Sequence, residues 1–259
     1  MENSGALISL GLKIHCESNE AIHSILEDIL QDEDAKGIAF NFAAASVFVD
    51  SQKEKSILNA LKNGITFCDS KPMLWYLQRT SNARSNLVRS RGTGFMEYIW
   101  NCKNPSNLKH FLIAPDLESA RLLTHEFSEN SRCGQIVGVK VPSFTSNVED
   151  LYSQTCGEIK ISKADVIWIG IGAPKQILLA DLLAKQIPGV MITVGAAFDI
   201  LSGRKRQAPI AIQELGLEWV YRWIQEPRRL TRRYTMGNLK FIGLLITDFL
   251  TILRKKCNV

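Results

Sequence analysis

Two short apolar runs, each closing on small residues, restrict what this chain can fold into more than any other feature. Val166–Ile169 is four residues of β-branched and aromatic type that stop at Gly170-Ile-Gly172, with Pro174 placed to open a helix. Residues 190–194 repeat that grammar and lead into Gly195-Ala-Ala-Phe-Asp199 and then Gly203. Two buried strands joined by one helix make a βαβ unit with parallel strands. In open parallel sheets, ligands sit outside the carboxyl ends of the strands, so the binding crevice is expected within 164–209.

The remaining pattern extends this unit. Strands are predicted at 37–41, Ile65–Cys68, 110–114 and 135–139. Between them fall a helix over 21–29 capped by Ser18, helices at 43–49 and 53–61, and one led by Pro72. A small turn, Gly92-Thr93-Gly94, precedes a helix at 95–101; Asp116 caps 117–127, and Val148–Ser162 reads as a broken helical stretch. The alternation predicts an α/β fold: a Rossmann-like, mostly parallel sheet covered by helices. After Gly203 no strand is predicted. Residues 212–225, 227–234 and 239–253 read as three helices divided by Pro227 and Gly237-Asn238. The chain is thus expected to have a body, 1–203, and a basic C-terminal helical appendage, 204–259.

Charge divides at the same place. The appendage holds 12 Lys/Arg against four Asp/Glu, whereas the body is net acidic, so the formal charge of +5 belongs to the appendage. Such asymmetry suits an anionic partner: a membrane surface, a nucleic acid or a polyphosphate. Residues 241–253 are apolar but only 13 long and contain Asp248, too short a run to span a bilayer. Six scattered Cys and four His, with no Cys-x-x-Cys, argue against a zinc site or a disulfide framework. The opening residues are polar and Glu27-Asp28 interrupts the first apolar stretch, so no signal peptide is expected and a reducing cytoplasmic setting is.

Several side chains are placed for chemistry. Asp69 stands where a strand gives way to a helix, as a general base or as a helix cap. Asn41, ending the neighbouring strand, can orient a sugar or phosphate, or be an ordinary turn residue. Gly170 and Gly172 can bring backbone amides to an anion at a helix start, with Gln176 in the first turn. The third glycine of a dinucleotide fingerprint is replaced by Lys175, so a nicotinamide cofactor is not indicated. Asp199 follows the second strand mouth, for a ribose or sugar hydroxyl or for capping. The acidic run Asp32-Glu33-Asp34 follows a helix in a polar stretch and reads as surface, so no metal is indicated. In the appendage, Arg222, Arg229 and Arg232 would share one face if the helix ran on past Pro227, a grouping suited to a diphosphate; the alternative is a surface salt-bridged by Glu214, Glu218 and Glu226.

In combination these residues resemble the WecG/TagA/CpsF glycosyltransferase family. The resemblance rests on Gly170-Ile-Gly-Ala-Pro-Lys-Gln176, Val194-Gly-Ala-Ala-Phe-Asp-Ile-Leu-Ser-Gly203, Ala208-Pro209, Gly216-Leu-Glu-Trp-Val-Tyr-Arg222 and Glu226-Pro-Arg-Arg-Leu-Thr-Arg-Arg-Tyr234. It implies an inverting, metal-independent transfer, without cofactor, from a UDP-sugar donor to a polyprenyl-diphosphate-linked sugar acceptor in bacterial cell-surface polysaccharide synthesis. The resemblance places the protein in the cytoplasm, peripheral on the inner face of the cytoplasmic membrane, with the appendage on the anionic membrane surface; a homo-oligomer stays open. Carried over by position, Asp69 is the base, and Asn41, Arg89 and Gln176 bind substrate. Arg222, Arg229 and Arg232 engage the diphosphate. The sequence departs from the family pattern at Ala39, Ser70, Gly94 and Ile177, all expected near the pocket. A catalytically weak sugar-nucleotide-binding or scaffolding subunit is the alternative function; a nucleic-acid binder, using Trp219, Trp223 and Tyr234 among the arginines, ranks behind both.

Overall fold

A computed structural model describes residues 6–32, 36–81, 87–102, 107–130 and 134–257, leaving aside the side chains at 229, 232–236 and 255–257. Glu33 and Asp34 of the acidic run lie outside the described residues. The chain opens with a hairpin that the sequence pattern does not announce, β1 (Ala6–Ser9) and β2 (Leu12–His15). Leu10 and Gly11 both take positive φ, 53° and 73°, and form its two-residue turn. Turns of that hand match the twist of the flanking strands. Four-residue strands carry too short an alternation to register.

From there strands and helices alternate: α1 (Asn19–Gln31), β3 (Ile38–Ala43), α2 (Ala45–Ser51), α3 (Lys55–Asn63), β4 (Ile65–Cys68), α4 (Lys71–Thr80), α5 (Gly92–Trp100) and β5 (Lys109–Ile113). Then come α6 (Leu117–Asn130), β6 (Gln135–Lys140), α7 (Val148–Ser162), β7 (Val166–Ile169), α8 (Lys175–Ala184), β8 (Val190–Thr193) and α9 (Ala197–Leu201). The eight strands form one sheet in the order β1-β2-β4-β3-β8-β7-β5-β6. Among the described residues, only the β1–β2 pair is antiparallel. The βαβ unit inferred at 164–194 is present, with β7 and β8 hydrogen-bonded side by side and all eight of their residues buried. Strands buried on both faces read as continuous apolar runs, which is why this unit is so legible.

Helices cover both faces. Phe40, Phe42, Phe67, Leu112, Trp168 and Ile192 face α1, α5, α6 and α9; Ala39, Ala43, Ile113, Ile167, Ile169 and Met191 face α2, α3, α7 and α8. The expected α/β architecture is thus the observed one. Because every strand after β1 runs the same way, their carboxyl ends lie along one edge, where the chain turns at 43–44, 69–70, 114–116, 170–174 and 194–196.

The C-terminal segment is helical, as expected, but its boundaries differ. The predicted helix over 212–225 is two, α10 (Ile210–Glu214) and α11 (Glu218–Gln225), parted at Gly216 with φ 70°. The predicted break at Gly237-Asn238 is absent: α12 (Pro227–Cys257) runs 31 residues without interruption, about 46 Å at 1.5 Å per residue. A helical glycine costs about 1 kcal/mol, and burying Phe241 against Phe48, their rings 6.2 Å apart, outweighs it. Asp248 of α12 accepts hydrogen bonds from Tyr76 (2.7 Å) and Ser9 (2.8 Å), fixing the far end of the helix to α4 and β1. The opposite side of α12 exposes Leu239, Ile242, Ile246, Phe249, Leu250 and Leu253. Among the described residues, no helix is long and apolar enough to cross a membrane.

Two further expectations need correction. Val148–Ser162 is one unbroken helix, capped by the Asn147 side chain on the Glu149 N–H. Gly92-Thr93-Gly94 is not a separate turn but the opening of α5. Gly92 is buried there, where a Cβ would come within 3.2 Å of Val194 and 3.3 Å of Phe42, so a glycine eases the close approach of α5 to the mouth of β8.

Candidate functional site

Asp69 is set by the end of β4. Its backbone N–H donates to the Ala43 carbonyl at 3.1 Å, which carries the β3–β4 ladder one residue past the strand. Capping of α4 falls to the next residue: the Ser70 hydroxyl accepts from the Met73 N–H at 3.3 Å. Of the two roles open to Asp69, the cap is therefore taken by Ser70, and the Asp69 carboxylate is left to the mouth of the sheet. Ser70, one of the departures from the family pattern, has a structural use here.

The segment 87–91 lies across the ends of β2 and β4. Val88 donates to the Cys16 carbonyl (3.1 Å) and Ser90 to the Cys68 carbonyl (2.9 Å). The Ser90 hydroxyl accepts from the Glu17 N–H and donates to the Glu17 carbonyl, at 3.0 and 2.8 Å. With Ser90 anchored inward, its extended neighbours Arg89 and Arg91 share the opposite side. There they meet α11. Arg89 Nη2 lies 3.0 Å and Arg91 Nη2 3.4 Å from the same oxygen, Glu218 Oε1. Arg91 also donates to the Gln213 side-chain oxygen. Gly216 presses against Lys71 and Trp75 of α4, where a Cβ would find atoms at 3.1–3.3 Å. The start of the C-terminal segment is thereby held over the end of β4.

Electrostatics mark Asp69 as the unusual group. Burial lifts its pKa from 3.8 to about 6; the Arg89 guanidinium opposes that rise, Glu218 adds to it, and Arg91 and Arg222 oppose it. Arg222, one turn beyond Glu218 on α11, thus acts on Asp69 from the appendage side. A carboxyl with a pKa near 6 within reach of several guanidiniums can take a proton from a hydroxyl beside a phosphate-bearing ligand.

The second mouth, between β7 and β8, is built for closeness. Gly170 admits the Phe198 ring, which a Cβ would meet at 2.6 Å. Gly172 has φ 90° and open space around it. Gln176 is buried, and its side-chain oxygen accepts from the Gly172 N–H at 3.1 Å, so it locks this loop rather than reaching outward. Lys175 donates to the Thr145 carbonyl (2.6 Å) and lies over the exposed Phe144 ring. Asp199 is engaged by Lys205 and Arg204, and Arg204 also binds Asp116 at 2.7 Å. This ion network fastens the start of the C-terminal segment to the mouths of β5 and β8.

Of the residues singled out from sequence, the structure places Arg89 and Arg222 close enough to Asp69 for their charges to act on its carboxyl. It does not bring Asn41 to the mouth. Asn41 lies two residues inside β3, fully buried between Thr66 and Thr193, with its Nδ2 lacking a hydrogen-bond partner. Ala39 and Ile177, expected near the pocket, are core residues at 2% exposure each. The side chains of Arg229 and Arg232 lie outside the described residues. Glu218 pairs with Arg89 and Arg91, and Glu226 pairs with Lys205. Arg91 escapes the sequence reading, although its i, i+2 spacing from Arg89 in an extended segment signals a shared side. Among the described residues, no group of three or more His, Cys, Asp or Glu side chains is placed to hold a metal ion. Two surface grooves, of about 650 Å³ beside Leu117 and His125 and about 510 Å³ beside Trp75 and Arg79, have linings that include none of Asp69, Arg89 and Arg222. In comparison with known protein families, the model described as Glycosyl transferase WecG/TagA/CpsF family matches residues 8–255.

Proposed function

Since the chain belongs to the WecG/TagA/CpsF family, whose members are glycosyltransferases of cell-surface polysaccharide synthesis, we propose that it moves a sugar from a UDP-sugar to a polyprenyl-diphosphate-linked sugar. The donor sugar is of N-acetylmannosamine type, its uronic acid, or a hexose. Asp69 takes the proton of the acceptor hydroxyl, and that oxygen attacks the anomeric carbon from the face opposite UDP. The bond from carbon to the β-phosphate oxygen breaks, its electron pair leaves on UDP, and configuration inverts. Arg222 balances the charge that develops on the departing diphosphate, a task Arg229 and Arg232 share and one that needs no metal in this scheme. The exposed apolar side of α12 and the half-exposed Trp219 and Trp223 rest on the inner face of the membrane, where the lipid-linked acceptor is presented.

The observation that supports this reading is the docking of α11, the helix of Arg222, beside the end of β4: Glu218 lies 3.0 Å from Arg89 and 3.4 Å from Arg91, and the charges of all four groups act on the buried Asp69 carboxyl, whose pKa burial raises to about 6. The test is Asp69→Asn, assayed for UDP release with a panel of UDP-sugars and a lipid-diphosphate acceptor. Removing a general base should slow transfer roughly a hundred- to ten-thousandfold. In the native protein the rate should fall below a pH of about 6, because the base must be unprotonated to act. Stability runs the other way. A folded-state pKa raised above the unfolded value favours folding below about pH 4 and loses that contribution as pH rises through about 6. Asp69→Asn should therefore melt higher than the native chain at pH 8, with the difference shrinking at pH 4. Wild-type transfer by the variant would remove Asp69 from this role.

A further inference from the structure

Glu218 takes no part in the transfer scheme, yet it makes the ion pairs between α11 and the 87–91 segment. The Arg89 side chain is only 9% exposed, so its guanidinium is largely withdrawn from water and needs an anion. Two carboxylates are within its influence: Asp69, whose pKa it opposes, and Glu218, which it touches at 3.0 Å. Arg91 divides itself between the same Glu218 oxygen and Gln213, both from the C-terminal segment. Glu218 and Arg222 are one helical turn apart, so whatever fixes the first also aims the second.

We propose that Glu218 is a positioning residue: it clasps Arg89 and Arg91, docks α11 over the end of β4 with Arg222 directed at Asp69, and keeps the two guanidiniums of the 87–91 segment from closing on that aspartate. The catalytic purpose of the clasp, though not the clasp itself, rests on the reading of Asp69 as the base, because a carboxylate fully paired with arginine is a weak one. The groups whose charges act on Asp69 are Arg89 and Arg91 from the 87–91 segment and Glu218 and Arg222 from α11, while Asp69 acts in turn on the buried Cys68 thiol next to it in sequence. Neutralising Glu218 removes one repulsive charge from Asp69 and releases two attractive ones toward it. Both effects favour the ionised carboxylate.

The experiment compares the native full-length chain with Glu218→Gln and Glu218→Asp, following the Asp69 carboxyl by carbon NMR and backbone amides by hydrogen exchange. In Glu218→Gln the Asp69 midpoint should fall by roughly one pH unit, and the amides of α11 should exchange on the order of tenfold faster. Amides of β7 and β8 should be unchanged, which reports an intact fold, and Glu218→Asp should recover part of both effects. Where sugar transfer is measurable, the acid limb of its pH profile should move down together with the NMR midpoint. An Asp69 midpoint that stays or rises in Glu218→Gln, or α11 protection equal to the native chain's, overturns the proposal. Neither NMR readout needs turnover. A native chain that transfers no sugar, while both readouts move as stated, rejects the function proposed above and leaves the clasp standing.

Discussion

The body and the C-terminal segment are held together by different physics. In the body, β7 and β8 are buried to the last residue and three apolar clusters fill both faces of the sheet. In the C-terminal segment, α10 and α11 bury no residue at all. Among the described side chains α12 buries only Leu230 and Phe241. What fastens it is mostly charge and hydrogen bonding: Glu218 with Arg89 and Arg91, Lys205 with Asp199 and Glu226, Arg204 with Asp116, Asp248 with Tyr76 and Ser9. Apolar burial is proportional to area and hard to undo locally, whereas ion pairs as solvated as Arg204 with Asp116 contribute about 0–1 kcal/mol each, and among these pairs only the Glu218 clasp on Arg89 is largely shielded from water. A segment attached in this way can complete a site when docked and open it at little cost, while the sheet beneath stays rigid.

The strongest way to break that contrast is to cut between the two regions. A chain ending at Gly203 should keep a cooperative melting transition and the far-UV signature of the α/β sheet, but transfer no sugar above background. Its apparent stability should drop only modestly, since Phe241 is the main apolar side chain that the cut strips from the α2 side. Non-cooperative melting would mean that the C-terminal segment belongs to the core after all. Retained turnover would mean that Asp69 and Arg89 suffice without it.

A smaller effect is expected when only the charge delivered by the segment is removed. Arg222→Ala should lower the transfer rate at saturating donor by roughly ten- to a hundredfold, the value of one charge-assisted hydrogen bond of about 1.5–3 kcal/mol. Arg222→Lys should recover part of it, because an ammonium keeps the charge but not the paired donors. Hydrogen exchange in α11 should be unchanged in both, since Glu218, not Arg222, makes the docking contacts. An unchanged rate in Arg222→Ala would reduce the segment to a docking device with no part in the chemistry.

The same division governs what can be read from the sequence. The βαβ unit at 164–194, the bounds of β4 and the capped starts of α1 and α6 are legible because each is fixed by its own residues: apolar runs bounded by glycine, Ser18 on Ala21, Asp116 on Ser119. Asp69 is marked by its place at a strand end and Arg222 by its spacing from the other arginines, with their roles carried over from the family resemblance, and only the fold brings the charge of Arg222 to bear on Asp69. The misses are where tertiary contact overrides a local signal. Gly237-Asn238 reads as a break, but α12 continues through it, with Leu230 buried before it and Phe241 after it. Asn41 reads as the end of a strand whose last two residues, Phe42 and Ala43, happen to be apolar and buried. Glu218 reads as a partner for arginines on its own helix, because i, i+4 spacing is visible in sequence and a contact 129 residues away is not.

The smallest effect concerns the far end of α12, and it separates the two kinds of attachment within one helix. Asp248 is the acid that interrupts the apolar run over 241–253, and the structure employs it: Tyr76 and Ser9 both donate to its Oδ2. Burial and then the Asp248 carboxylate push the Tyr76 phenol well above its usual range, so it remains a donor at any physiological pH. Asp248→Ala removes the acceptor and leaves two donors without it, which costs about 1–3 kcal/mol. Amides of α12 beyond Leu245 should then exchange roughly five- to a hundredfold faster, with those near Phe241 little changed and sugar transfer close to native. If protection instead falls along the whole helix, Phe241 does not hold its half independently and α12 docks as one cooperative unit. If it falls nowhere, the apolar contacts of Phe241, Leu244 and Leu245 hold the helix alone, and the C-terminal segment resembles the body more than its sparse burial implies.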